Sequence, residues 1–279
     1  MRKHFPPARK NKLDNIMKLL THIIKTEWKS LLRGKWVIGY TLIFLLLTDS
    51  LLRFGGGGPE TLLSLSNVML LFIPLVGMIY GILYIYQSRE FVELLLTQPI
   101  DRKVLYWGLF LGISTPLMAA FIIGSLLPLA WHGILVLDSS SSALVLGLGG
   151  MLTLIFVSLG FVFGLMFYDD RIKGFGFTIV IWLFLAILYD GIVLLLVFVF
   201  GDYPLEQFVI AASALNPIDL ARILVMLEFD ISALMGYTGA VFNRFFGQST
   251  GLITASGMLV LWLITPTWLG LRIFKKKDF

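Results

Sequence analysis

Six apolar runs, each long enough to cross a bilayer as a helix, constrain this chain more than any other feature. They cover Trp36–Leu52, Leu62–Tyr86, Val104–Trp131, Ala143–Tyr168, Phe175–Val199 and Leu252–Phe274. A helix needs about 20 predominantly apolar residues to cross the hydrocarbon core. In lipid every backbone N–H and C=O must find its partner within the protein, which favours helices for runs of this kind. The expected fold is an all-α membrane protein with six transmembrane helices. Composition agrees: 58% of the 279 residues are hydrophobic and 14% are charged, whereas a soluble domain carries about 25% charged residues.

The basic residues set the orientation. Ten lie in residues 1–35; Arg89, Arg102 and Lys103 separate spans two and three; Arg171 and Lys173 separate spans four and five; Arg272 and Lys275–Lys277 close the chain. These nineteen fall on one side, against Arg53, Arg222 and Arg244 on the other. The excess of Lys and Arg marks the cytoplasmic side, so both termini are expected there. In a bacterium this means the inner (cytoplasmic) membrane.

Residues 1–13 are basic and broken by two prolines, and read as a cytosolic tail. Over 14–34, Ile16, Leu19, Leu20, Ile23, Ile24, Trp28, Leu31 and Leu32 recur at helical spacing while Lys18, Lys25, Lys29 and Arg33 fill much of the remainder. This pattern predicts a basic amphipathic helix in the headgroup plane, with Asp14 as its N-cap. The first segment, 1–35, shows no apolar core or cleavage site of a signal peptide. Residues 36–279 form the six-span domain.

Two regions between spans carry information. Residues 87–103 are the longest charged interruption on the cytosolic side, with a short helix stopped by Pro99. On the opposite side, 200–249 is too long for a simple loop. Leu205–Leu215 is apolar yet too short to cross a bilayer, which predicts a re-entrant or interfacial hairpin. Asn216-Pro217-Ile218-Asp219 then reads as a helix start, with Asn216 as N-cap, Pro217 first in the helix and Asp219 in its first turn. Phe208, Ile223, Leu224, Met226, Phe229, Phe242, Phe245 and Phe246 give this extracytoplasmic region more apolar surface than water tolerates.

No catalytic centre is legible. Cysteine is absent, which removes disulfides, thiolate ligands and thiol nucleophiles. His4, His22 and His132 sit in separate segments, so no metal site is expected. There is no H-E-x-x-H, no Walker A sequence and no nucleotide-binding glycine loop. The ten methionines are scattered and read as packing. Asp190 is the one acid deep within a span. Such an acid costs roughly 2.5–3.5 kcal/mol to insert, so it is expected to face the bundle or a wet cavity. It reads either as a functional polar contact at a dimer seam or translocation path, or as a hydrogen-bonded packing residue.

The order of a basic interfacial helix, a span, a long second span ending in cytosolic Arg89-Glu90-x-x-x with Leu94-Leu95-Leu96-Thr97-Gln98-Pro99, and a third span resembles permease subunits of export-type ABC transporters. The same family contains polysaccharide and lipid exporters. The resemblance implies that residues 88–98 are the coupling helix that docks on a cytosolic ATPase subunit, and that ATP and Mg are bound by that partner and not by this chain. Leu94–Pro99, Tyr189-Asp190, and Leu215-Asn216-Pro217-Ile218-Asp219 followed by Arg222 are similar to the branch that serves copper-site assembly of nitrous oxide reductase. That likeness implies a homodimer, an ABC ATPase subunit, a periplasmic β-helical partner and a role in denitrification. It makes Arg89, Glu90, Phe91, Glu93, Leu94 and Leu95 coupling residues, with Phe91 and Leu95 as the apolar knob. Asn216, Pro217, Asp219 and Arg222 are expected at the extracytoplasmic partner. Nucleic acid is not an expected partner. The alternatives are a general ABC exporter of a lipid-like, peptide or drug substrate, and a membrane scaffold that transports nothing.

Overall fold

A computed structural model describes residues 35–55, 59–97, 100–200, 206–229 and 236–277, together with Thr21, Lys25 and Trp28. The tail, most of the interfacial helix expected over 14–34, and Gln98 and Pro99 lie outside the described residues. The described secondary structure is helical throughout, with no strand.

Among the described residues, six helices are long and apolar enough to cross a membrane. Span one is α1 (Lys35–Phe54) and span two is α2 (Pro59–Gln87). The short helix α3 (Arg89–Leu96) follows, then span three as α4 (Arg102–Trp131). A single turn, α5 (Ile134–Leu137), leads into span four, α6 (Ser139–Met166). Span five is divided: α7 (Arg171–Leu183) passes through a π-helical turn at Phe184–Leu188 into α8 (Tyr189–Val199). Next come α9 (Glu206–Ala214) and α10 (Pro217–Glu228), and then α11 (Gly236–Lys276), which contains span six.

Span four is the axis of the bundle. In its most apolar window 72% of the residues are buried by the rest of the chain, against 6% for span five. The sequence explains this centrality. Glycines on α6 and α2 remove the side chains that would hold two backbones apart. A Cβ on Gly160 would stand 2.4 Å from the Met78 carbonyl oxygen, and one on Gly81 would stand 2.6 Å from that of Val157. Span five, by contrast, keeps Ile187, Leu188, Ile192, Leu194, Leu195 and Phe198 exposed, an apolar surface suited to lipid or to another protein in the membrane.

One expectation about the region after span five is revised. The break at 200–249 is shorter than expected, because α11 begins at Gly236 and runs for 41 residues. At 1.5 Å per residue it is about 60 Å long, roughly twice the hydrocarbon thickness. The hairpin itself is present. Phe208–Ala214 and Pro217–Glu228 meet at 109°, and α10 is buried along most of its length. The apolar residues Ile223 and Leu224 are thus covered by the chain's own helices.

Candidate coupling face and buried charge cluster

At the end of the bundle where the basic residues collect, α3 hangs from α2 through Ser88. The Ser88 hydroxyl donates to the Tyr84 carbonyl at 2.7 Å. Val92 is buried, and Leu95 and Leu96 pack partly against the core. This inward face at i, i+3 and i+4 fixes the register of the short helix. Phe91 and Leu94 consequently point outward, 44% and 61% exposed, with Glu90 also exposed. Leu95, expected in the outward knob, instead belongs to the face that seats α3; Leu94 takes its place beside Phe91.

The charges around α3 are already engaged. Arg89 pairs with Glu93 one turn on at 3.0 Å and reaches Asp169 at 3.8 Å. Its guanidinium carbon lies 4.5 Å from the centroid of the Tyr168 ring. Arg102 donates to the carbonyls of Lys275 and Lys277, both at 2.8 Å. A cation is well placed at those carbonyls, which end α11 and have no partner within it. Tyr168 is buried, and burial pushes its phenol up to about 12, so the ring stays neutral at physiological pH.

The opposite half of the bundle holds a second cluster. Arg222 on α10 donates to Asp190 on α8, and to Asp219 one turn earlier on its own helix at 3.2 Å. The two carboxyl groups also face each other. Asp190 therefore has both a cation and a second acid beside it, supplied by a helix that returns into the bundle. Asp190, read either as a functional polar contact at a dimer seam or translocation path or as a hydrogen-bonded packing residue, forms an ion pair between α8 and α10 within the chain. A guanidinium shared by two acids offsets part of the cost of removing the cluster from water, with Asp219 buried and Asp190 and Arg222 half-buried.

Side chains from neighbouring spans hold the bend that brings α10 there. Asn216 is fully buried and caps α10, accepting from the Ile218 N–H at 3.0 Å. Its amide donates to the Leu185 carbonyl at 2.9 Å, inside the π-turn of span five. Tyr189 donates to Ala212 at 2.6 Å and Trp262 to Ala214 at 2.9 Å. Trp262 thus supplies a donor to the carbonyl at the end of α9, and Tyr189 adds a second donor to the Ala212 carbonyl, which also accepts from the Leu215 N–H at 2.9 Å, as irregular backbone at membrane depth requires. The sequence placed Asn216, Pro217, Asp219 and Arg222 against an outside partner. In the fold the first three are buried in the chain's own interior, and Arg222 is occupied by two acids.

A third group joins the outer ends of spans one and three. Asp49 accepts from Arg53 at 2.7 Å and from Trp131 at 3.1 Å, and lies 3.0 Å from the His132 ring nitrogen. Trp131 at the end of α4 and His132 just past it thus bring the outer end of span three onto Asp49 of span one.

Two curated proteins are similar to this chain over nearly its whole length. A probable ABC transporter permease protein NosY from Pseudomonas aeruginosa is 28% identical, covering 91% of this chain and 94% of its own length. A probable ABC transporter permease protein NosY from Stutzerimonas stutzeri is 22% identical, covering 92% and 96%. No family model matches the chain.

Proposed function

We propose that this chain, similar from end to end to ABC transporter permeases, couples ATP hydrolysis in a cytosolic partner to an event on the far side of the inner membrane. The observation that carries the reading is the outward pair Phe91 and Leu94 on a helix seated by its opposite face. An amphipathic helix of eight residues, anchored at its start by Ser88 and presenting an aromatic and a leucine beyond the membrane, is suited to fill a pocket on a soluble partner. The chain itself carries no nucleotide-binding motif, so ATP and Mg belong to that partner, an ATPase subunit of the NosF type.

The extracytoplasmic event in this proposal is copper-site assembly of nitrous oxide reductase, performed with a NosD-like β-helical protein in the periplasm. Support comes from the NosY likeness and from the Asn216-Pro217-Ile218-Asp219 and Arg222 pattern, which builds the buried bend. In this reading those residues shape the outer surface that a partner meets; they need not touch it. Two copies of the chain form the working unit, with both termini in the cytoplasm. The exposed face of span five offers a surface for that pairing.

The test is purification of the tagged chain in mild detergent after co-expression with its ATPase and the periplasmic β-helical protein. Both partners are expected to co-elute. Retention of the ATPase alone would favour a general exporter of a lipid-like, peptide or drug substrate. Retention of neither would leave a membrane scaffold as the better account.

A further inference from the structure

Where span four ends and the turn to span five begins, several separate elements meet on one side chain. Tyr168 lies buried just beyond α6. Arg89 of α3 stands over its ring at 4.5 Å, and the Lys277 ammonium, one residue past the end of α11, stands over the same ring at 4.8 Å. Further contacts fix both cations. Lys277 donates to the Leu165 carbonyl of α6 at 3.0 Å, and Arg89 reaches the neighbouring Asp169. Arg102 at the start of α4 holds the last carbonyls of α11. Next to this turn, Tyr86 of α2 donates to the Phe167 carbonyl at 3.0 Å. The turn is thereby tied to the span from which α3 hangs.

We infer that Tyr168 is a positioning residue for coupling: its ring holds the cations of α3 and α11 together, so that movement of the coupling helix reaches spans four and six as well as span two. Without the ring α3 is fastened to the bundle by Ser88 and its own apolar face, which connect it chiefly to α2, and by the long, exposed Arg89–Asp169 pair at 3.8 Å, a weak tie on its own. A neutral aromatic face suits the task, because a cation–π contact tolerates sliding of the cation over the ring better than a directed hydrogen bond tolerates misalignment. The inference rests on the permease reading, in which α3 receives force from an ATPase. It adds a residue that lies on neither the coupling helix nor its flanking spans.

The experiment uses the full chain with its ATPase subunit, reconstituted in liposomes, and measures two quantities: ATPase bound per permease, and the stimulation of ATP hydrolysis by the permease. Tyr168→Leu is expected to retain the ATPase at the wild-type ratio while stimulation falls by about tenfold, the scale of two lost cation–π contacts. Tyr168→Phe and Tyr168→Trp are expected to keep stimulation, since the ring is preserved. A residue with a purely architectural role would lose binding, insertion and stimulation together. Lys277→Met guards against a folding defect in the leucine variant, because it removes one cation at the chain's end and leaves the ring in place; a partial loss of stimulation is expected. Full stimulation in Tyr168→Leu or Lys277→Met would overturn the inference while leaving the permease reading intact. Failure of the wild-type chain to bind or stimulate the ATPase would overturn the permease reading and the inference with it.

Discussion

Asn216 donates its side-chain amide to the Leu185 carbonyl at 2.9 Å, so the residue that caps α10 also binds the π-turn in the middle of span five. One buried side chain therefore sets two irregularities of backbone at once. A π-turn shifts the helical register and leaves carbonyls in need of donors, and such turns recur at functional sites. Here it precedes Tyr189 and Asp190, both of which reach toward the returning hairpin.

Removing that side chain is expected to be costly. Asn216→Leu loses the cap and leaves the buried Leu185 carbonyl without its donor, about 2–3 kcal/mol together. Asn216→Asp keeps the acceptor for Ile218 but loses the donor, and should be destabilised as well. Thermal unfolding of the detergent-solubilised protein checks this. A transition temperature for Asn216→Leu equal to that of the wild type would show that neither bond contributes.

The cluster of Asp190, Arg222 and Asp219 predicts non-additive mutations. Arg222→Leu leaves two carboxyl groups facing each other without a cation and should destabilise by about 1–3 kcal/mol, less than for a fully dry pair because the side chains are partly exposed. Asp190→Asn in the same chain removes one of the acids and is expected to recover part of that loss. A double-mutant cycle on unfolding midpoints reads the coupling directly. Strict additivity would contradict the contact.

Close packing of α2 on α6 depends on Gly160. A valine there would drive its Cβ against the Met78 carbonyl oxygen, 2.4 Å away, and backbone on both sides leaves no flexible side chain to yield. Gly160→Val is expected to lower stability by about 1–3 kcal/mol and to reduce the amount of folded protein extracted from membranes. Normal extraction and an unchanged unfolding midpoint would contradict this packing.

The distribution of basic residues predicts the orientation of the chain. Reporter fusions at Ser140 and Gln248 should read as periplasmic, and one at Lys173 as cytosolic. A periplasmic signal at Lys173 would overturn the six-span topology.

The sequence disclosed these features unevenly, for physical reasons. Apolar run length carried the six spans, and the chemistry of Asn216-Pro217-Ile218-Asp219 carried the start of α10, because both are local properties. The π-turn at Phe184–Leu188 has no local signature, since Phe, Leu, Ala and Ile suit an α-turn as well. The start of α11 has no clear local signal, because Gly236, Gly239 and Gly247 are weak helix formers although the helix runs through them. Asp190 and Arg222 are 32 positions apart and meet only because α10 folds back. The available signal was complementary isolation: an acid within a span, and an arginine on the side poor in basic residues. On α3, Phe91 and Leu95 fit a helical knob by spacing, but burial of Val92 and partial burial of Leu96 turn the helix so that Leu94 faces out. Tyr168 read as the end of an apolar run, and only the fold brings Arg89 and Lys277 to its ring.

The most direct test of the central claim, that α3 is the element joining this chain to an ATPase, is the Phe91→Ala/Leu94→Ala double variant. Both side chains point away from the bundle, so insertion and thermal stability should match the wild type. Loss of a buried aromatic anchor and its neighbour is expected to weaken the partner contact by about 2 kcal/mol or more, enough to release the ATPase subunit during purification in detergent. The measurement is the ratio of ATPase to permease in the eluted complex. The account predicts a ratio well below that of the wild type with the permease itself intact. A full complement of ATPase on the double variant, with normal stimulation of hydrolysis, would contradict it.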